Sequence, residues 1–371
     1  MTVVAIGLLL LIGYTYAGYP ALVALLAHLL PRRIQPRPGF EPTVSVCLAV
    51  HNGADFLQQK LESLQALDYP AERLEILIYS DGSTDDTEAV ARAWATRDPR
   101  VRLLSSPHRL GKPSGLNRLY AEATGEVLLM TDVRQQLAKG ALRALLEPLS
   151  DPEIGCVSGS LVLAGEAGSG AYWRYEKFIR SCEARLGSMV GVSGSLYAIR
   201  REHFGELPHD LLLDDMFVPL QAARHRKRIV LAEAAEAYDS VYADEQELGR
   251  KVRTLAGNYQ LLAKLPWLLS PQHNPVWFQL VSHKVSRLLC PFALVGLLLV
   301  SGWLGLSPSS TRAEQSFWLS VWAAQLFCYF LALCGARAGR LGTLARTFVI
   351  LNVAAVLGLW RFLRRSQSVA W

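Results

Sequence analysis

The segment Val44–Val50, VSVCLAV, decides how this chain reads. A nearly continuous apolar run without alternation fits a strand buried on both faces, as in a parallel sheet. Downstream, Leu57, Leu61, Leu64 and Leu67 recur at helical spacing, and Leu74–Tyr79 gives a second strand that runs into Ser80-Asp81-Gly82-Ser83-Thr84-Asp85-Asp86. Ser83 or Thr84 is placed to cap the helix carrying Val90, Ala93 and Trp94. Val101–Leu104 and Glu126–Met130 add two strands, with a helix near Ser114–Ala123 between them. This βαβαβ succession predicts an α/β fold: an open, mostly parallel, doubly wound sheet with ligands at the carboxyl ends of its strands. Those ends carry His51 and Asn52, then Asp81, then Thr131-Asp132-Val133-Arg134-Gln135, three polar clusters converging on one edge where a nucleotide fits. Asp-Gly-Ser-Thr alone is also an ordinary strand-to-helix turn, so the order of the clusters is the stronger signal. No GxGxxG follows the first strand, which excludes a plain dinucleotide-binding oxidoreductase.

Working outward, the flanks are apolar. A mean hydropathy of +0.20, with 51% hydrophobic and 19% charged residues, is too apolar for a soluble protein and too charged for an all-membrane one. Disorder and collagen-like composition are excluded. Val3–Leu30 is 28 residues long and uncharged apart from His28, more than the roughly 20 that cross a hydrocarbon core. Arg32, Arg33 and Arg37 follow at once. The segment reads as an uncleaved anchor, N-terminus outside and the next domain in the cytoplasm. Pro31–Pro42 is a stiff linker.

Leu288–Leu306 and Phe317–Cys334 are each of span length and separated by the polar Ser307–Ser316, a membrane hairpin. A third stretch, Thr347–Trp360, has 14 uncharged residues. Counting it as a crossing puts the C-terminus outside, whereas Arg361, Arg364 and Arg365 prefer the cytoplasmic side. Two readings stand: a short or re-entrant last helix that returns, or a tail that breaks the rule. The expected organisation is an anchor over 1–31, a cytosolic domain over 42–240, amphipathic interfacial helices over 241–287 and two to three spans over 288–363. Six cysteines without a CxxC pair argue against a zinc ribbon or a stapled scaffold. Juxtamembrane arginines facing anionic lipid account for the net charge of +6, and no nucleic-acid-binding motif is present.

VSVCLAVHN, LIYSDGSTDDT, GKPSGLN, GEVLLMTD, VGVSGSLYAIRR, LLLDDMFVPL and KVRTLAGNYQ, in this order, resemble membrane-bound family-2 glycosyltransferases with the GT-A fold. That family includes bacterial synthases of poly-N-acetylglucosamine, cellulose and hyaluronan, and the likeness runs from about Val44 to Leu262. It implies a uridine pocket lined by Ala49, Val50, His51, Asn52 and Asp81, with Lys112 and Asn117 near the nucleotide. Asp214-Asp215 matches the acidic pair that includes the catalytic base, with Asp215 in that role. Gly191, Ser193 and Gly194 of GVSGS match the acceptor-side loop. A helix N-terminus decorated with acids is the plain structural reading of the Asp pair.

Two departures stand out. Asp132 occupies the first acidic position of the family's DxD motif, whose carboxylates bring in Mg²⁺ or Mn²⁺, but the second is Arg134. Either Asp132 holds a metal with substrate oxygens and water, or Arg134 neutralises phosphate itself, or Arg134 pairs with Asp132 and other groups keep the metal. The Q-x-x-R-W signature of processive members reads Arg250-Lys251-Val252-Arg253-Thr254, keeping only Arg253. Leu248, Val252, Leu255, Tyr259 and Leu262 fall at 4-3-4-3 spacing, an amphipathic helix with Arg250, Arg253, Thr254 and Gly257 on a neighbouring stripe.

The resemblance implies an inverting transferase of the inner membrane, moving sugar from a UDP-sugar such as UDP-N-acetylglucosamine or UDP-glucose to a glycan or lipid-linked acceptor. Exopolysaccharide or envelope glycan synthesis is the expected setting, with export or synthase complex subunits as candidate partners. The alternatives are a single-addition glycolipid enzyme and a non-catalytic nucleotide-sugar-binding subunit.

Overall fold

A computed structural model describes residues 1–164, 171–240 and 244–367. Helix α1 (Thr2–Gly13), a π-helical turn at Tyr14–Gly18 and α2 (Tyr19–Leu29) form one continuous apolar rod. The strands and helices of the central domain follow: β1 (Val44–Val50), α3 (Ala54–Gln65), β2 (Leu74–Asp81), α4 (Thr87–Arg97), β3 (Val101–Ser106), α5 (Lys112–Glu122) and β4 (Val127–Thr131). Then come β5 (Gln136–Leu137), α6 (Ala141–Leu149), β6 (Ile154–Ala164), α7 (Ala171–Leu186), β7 (Leu196–Arg200), α8 (Asp214–Arg224) and β8 (Arg228–Ser240).

The eight strands form one sheet in the order β3-β2-β1-β4-β7-β6-β8-β5. The first four are parallel, and β7 then runs antiparallel to both β4 and β6. Every residue of VSVCLAV is buried, alternate side chains entering the two hydrophobic layers on either face. That is the reason the run does not alternate: helices cover both sides. Leu57, Leu61 and Leu64 of α3 are buried as their spacing requires. The strands extend past the sequence expectation at their carboxyl ends, to Asp81 and Ser106, because Ser80 and Asp81 pair with Ser105 and Ser106.

One local expectation is corrected. The helix after β2 starts at Thr87, and neither Ser83 nor Thr84 caps it. Asp85 accepts from the Thr87 backbone at 3.1 Å, while Ser83 Oγ accepts from Asn52 N at 3.2 Å and Asn52 Oδ1 accepts from Thr84 N at 2.8 Å. The Ser and Thr are used to stitch the first two strand-end loops together.

Beyond the sheet, α9 (Asp244–Lys264) leads to α10 (Trp277–Gln279), a π-helical segment Leu280–Val285, α11 (Ser286–Leu306), α12 (Arg312–Cys334) and α13 (Gly339–Leu363). Thr2–Leu29, Trp277–Leu306 and Arg312–Leu363 are long and apolar enough to cross a membrane, and the last is folded in two at Gly335–Ala338. The stretch read as 14 residues is the second half of a 25-residue helix, which begins eight positions earlier at Gly339.

Candidate active site

The site is built where the parallel strands end. Asp132 follows β4, and its Oδ1 accepts from Lys112 Nζ at 2.9 Å. The same ammonium reaches Asp214 Oδ2 at 3.0 Å, so the first residue of α5 ties the strand-end acid to the first residue of α8. Burial works against charge on Lys112, but Asp132 and Asp214 outweigh it and raise its pKa. Asp215 is half-buried beside them, its backbone oxygen accepting from Val192 N at 3.0 Å. A Cβ built on Gly194 would lie 3.7 Å from both Asp132 Oδ2 and Asp215 Oδ2. The GVSGS loop therefore lies directly over the two carboxylates.

Three carboxylates share one ammonium here. Burial first, then Asp214 and Asp132, push Asp215 up to about 6, against the pull of Lys112 and Arg180. A carboxyl with a pKa near neutrality is suited to take a proton and give it up again.

The loops around this cluster are positioned by groups expected to touch nucleotide. Asp81 is fully buried, and its two oxygens accept from Leu110 N at 2.7 Å and Gly111 N at 2.9 Å, fixing the turn that presents Lys112. The Asn117 side chain and the Leu207 backbone exchange two bonds of 2.9 Å, tying α5 to the segment before Asp214. Both residues act here on protein backbone. His51 Nδ1 lies 2.8 Å from the Asp81 carbonyl, and Asn52 is exposed at the cleft. Ala49 lies beneath α5, where Gly115 comes so close that a Cβ would sit 2.6 Å from the Tyr79 ring.

Among the described residues Arg134 pairs with Asp239 and not with Asp132; its Nη2 donates to Asp239 Oδ1 at 2.9 Å and its guanidinium covers the Phe56 ring. Gln135 donates to the other Asp239 oxygen at 2.6 Å. The acid missing from position 134 is matched by one on β8. Among the described residues the donor set does not fit a resident divalent ion: Asp132 and Asp214 each give an oxygen to Lys112, and the second acidic position is an arginine turned to Asp239. No three His, Cys, Asp or Glu side chains among the described residues are grouped to hold a metal.

Three contributors carried no motif. Lys60 on the buried face of α3 donates to Thr131 Oγ1 at 2.7 Å and Gln135 O at 2.6 Å, bracketing Asp132 from below, and burial lowers its pKa to about 7. Its place among Leu57, Leu61 and Leu64 was a signal, a lysine on an apolar stripe. Arg180 on α7 donates to Ser158 Oγ at 3.1 Å, which also accepts from Ser193 N at 3.0 Å. Nothing local in the sequence marks Arg180 or Asp239, because long-range packing brings them in.

Arg250 is exposed and Arg253 half-buried on α9. Gly257, one turn beyond Arg253, packs against Leu213, where a Cβ would lie 2.4 Å from Cγ. The arginine-bearing stripe thus borders the residues that lead into Asp214-Asp215. Thr254 is exposed.

Residues 45–207 match the family model described as Glycosyl transferase family 2, and the sheet order is that of a GT-A fold. Among solved structures, it is similar over 98% of its length and 99% of the other chain to the mannosyltransferase PcManGT from Pyrobaculum calidifontis in complex with GDP-Man and Mn2+, with a TM-score of 0.75 and 23% identity. It is 22% identical to the beta-monoglucosyldiacylglycerol synthase of Synechocystis sp. over 71% of this chain and 58% of that protein. It is 26% identical to an N-acetylglucosaminyltransferase of Rhizobium meliloti over 45% of this chain and 41% of that one. The chain thus spans about half the length of these two relatives.

Proposed function

We propose that this protein is a membrane-bound inverting glycosyltransferase of the cell membrane, its catalytic domain in the cytoplasm. It takes sugar from a nucleoside-diphosphate sugar, with UDP-N-acetylglucosamine or UDP-glucose as first candidates, and passes it to a membrane-associated acceptor in exopolysaccharide or envelope glycan synthesis. The observation that carries this reading is the meeting of Asp215 with the Asp132–Lys112–Asp214 chain at the carboxyl end of β4.

In this mechanism Asp215 takes the proton of the acceptor hydroxyl. The hydroxyl oxygen forms a bond to the anomeric carbon, and the bond from that carbon to the diphosphate oxygen breaks with its electron pair leaving on the nucleoside diphosphate. A single displacement inverts the anomeric centre. Lys112 is the cation nearest the departing charge, held by Asp132 and Asp214 before substrate arrives. The Gly191, Ser193 and Gly194 loop over Asp215 is the acceptor side, and Arg253 and Arg250 on α9 are read as nucleotide-sugar-binding, Arg253 near the pyrophosphate. No step is assigned to a metal. The Pyrobaculum protein is in complex with Mn2+; here an ion would have to draw most of its ligands from phosphate and water.

Single addition to a lipid or lipid-linked acceptor is the second reading. It is favoured by the exposed Thr254 at the position where processive members stack a tryptophan under the glycan.

The test is nucleotide release by purified protein in nanodiscs with lipid acceptors, across UDP-sugars and GDP-mannose, with and without EDTA. Release abolished by Asp215→Asn is the expected result. Silence with every donor sinks the enzyme reading in favour of a non-catalytic subunit, and strong EDTA inhibition would show that the site recruits a metal after all.

A further inference from the structure

The last helix settles the conflict between span count and arginine placement. Between Gly335 and Gln367 the chain has Arg337, Arg340, Arg346, Arg361, Arg364 and Arg365 and no carboxylate. Were α13 a crossing, the final three would lie across the bilayer from the catalytic domain, against the usual charge bias.

The contacts trace a different path. The start of α11 is held to the domain, since His283 Nδ1 lies 2.8 Å from Glu183 Oε1 and Arg287 pairs with Glu176, both acids on α7. From there α11 runs away and α12 returns antiparallel to it: Leu319 packs on Gly305, Trp322 on Gly302, and Gln325 Nε2 donates to Leu294 O at 2.8 Å. Nine more residues, about 13 Å at the helical rise, bring Cys334 back to the level of the first turn of α11. So α13 begins on the domain's side.

It also ends there. Gly358 meets α9 so closely that a Cβ would lie 2.8 Å from Ala256 N, and the Phe362 ring stacks on Tyr259 with centroids 6.3 Å apart. The Tyr259 hydroxyl donates at 3.2 Å to the carbonyl of Leu288, again in the first turn of α11. Midway, Asn352 and Phe348 touch Tyr16, whose carbonyl accepts from the α7 residue Tyr175 at 2.9 Å. Start, middle and end share one level.

We propose that α13 does not cross the bilayer but lies along its domain-side surface, its arginines seated on the headgroups of anionic phospholipid. The inference rests on the membrane reading given above. The face left open suits such a seat: Val353, Val356, Leu357, Trp360 and Leu363 are exposed at helical spacing, and the Arg364 guanidinium stands 3.9 Å over the Trp360 ring. An apolar flank edged by cations without acids is what an interfacial helix presents to acidic lipid. The C-terminus then lies on the same side as Arg32 and Arg33, with three crossings instead of four. Because α9 is packed between α13 and Leu213, the lipid surface reaches the Asp214-Asp215 turn through two helices in contact.

The test uses the full chain in sealed membrane vesicles, with Cys328 and Cys334 replaced by serine and a membrane-impermeant maleimide as probe. Ser366→Cys is expected to react only from the side of the catalytic domain, and Ser309→Cys, in the turn between α11 and α12, only from the other. Reaction of Ser366→Cys from the Ser309 side overturns the proposal by itself. Release of the protein by alkaline carbonate would instead overturn the membrane reading beneath it. In nanodiscs, amide exchange over α13 should slow at least about fivefold when phosphatidylglycerol is added to phosphatidylcholine, a gain lost on replacing Arg361, Arg364 and Arg365 by glutamine. Equal exchange in both lipids overturns the anionic seat.

Discussion

Two charged clusters lie within this protein, and they are built on opposite terms. At the domain's junction with α2 and α11, Glu176 and Glu183 face His283 and Arg287, and the Tyr19 hydroxyl donates to Glu183 at 2.6 Å. Burial pushes the Glu176 carboxyl up, yet Arg287 and His283 prevail and hold it well below the usual carboxylate range. Each acid there has close cationic or hydrogen-bonding partners, and the result is a clamp joining α7 to two long apolar helices. At the strand ends, by contrast, Asp132, Asp214 and Asp215 crowd one Lys112, and Asp215 is pushed up to about 6. Matched charge holds the first cluster together; the second carries more acid than base, the condition that raises a carboxyl's pKa.

The sharpest way to break this contrast is catalytic. Asp215→Asn, which keeps shape and removes the base, should lower turnover by about a thousandfold or more, in the upper range of general-base catalysis; residual turnover near the natural rate would move the base elsewhere. Next is the clamp. Arg287→Met leaves Glu176 buried without its main partner and should cost about 3–5 kcal/mol of stability, as breaking a buried pair does. Thermal unfolding in detergent measures it, and an unchanged midpoint would mean the cluster is solvated.

A smaller effect has the opposite sign. Because the folded pKa of Asp215 is raised, its contribution to stability is fully present below the unfolded value and lost as pH rises through about 6. Asp215→Asn should therefore be more stable than the natural chain at pH 7.5, by about 1–2 kcal/mol after allowing for relaxation, and equal to it near pH 4. A variant that is inactive and less stable at pH 7.5 would contradict the unmatched-charge account.

The smallest expected change sharpens the role of Lys112. The acid limb of kcat/KM should fall near pH 6 in the natural chain, and Lys112→Met, by removing the cation that lowers Asp215, should move it upward by about one unit. A limb that stays in place would show that Lys112 does not sense the base.

Much of the parallel half of the sheet was legible because a buried strand must be apolar on both faces, and VSVCLAV could be little else. The strand-end polar groups were legible too, since βαβ connectivity brings them to one edge. Their individual duties were not. Asp81 and Asn117 fasten backbone, and Ser83 and Thr84 join two loops instead of starting a helix, because each polar side chain takes whichever partner the packing brings within reach. For Arg134 the sequence left phosphate, Asp132 and a neighbouring metal site open, and Asp239, the partner the fold supplies, lies more than a hundred positions away.

What the sequence determined by itself is therefore what periodicity and motif order encode: an α/β domain between apolar segments, with Asp132 and the Asp214-Asp215 pair as its candidate site. Only the tertiary structure decided which charges are matched and where the last helix lies. Hydrophobic pattern is local and repeats along the chain, whereas an ion pair or a helix's depth depends on residues that meet only after folding.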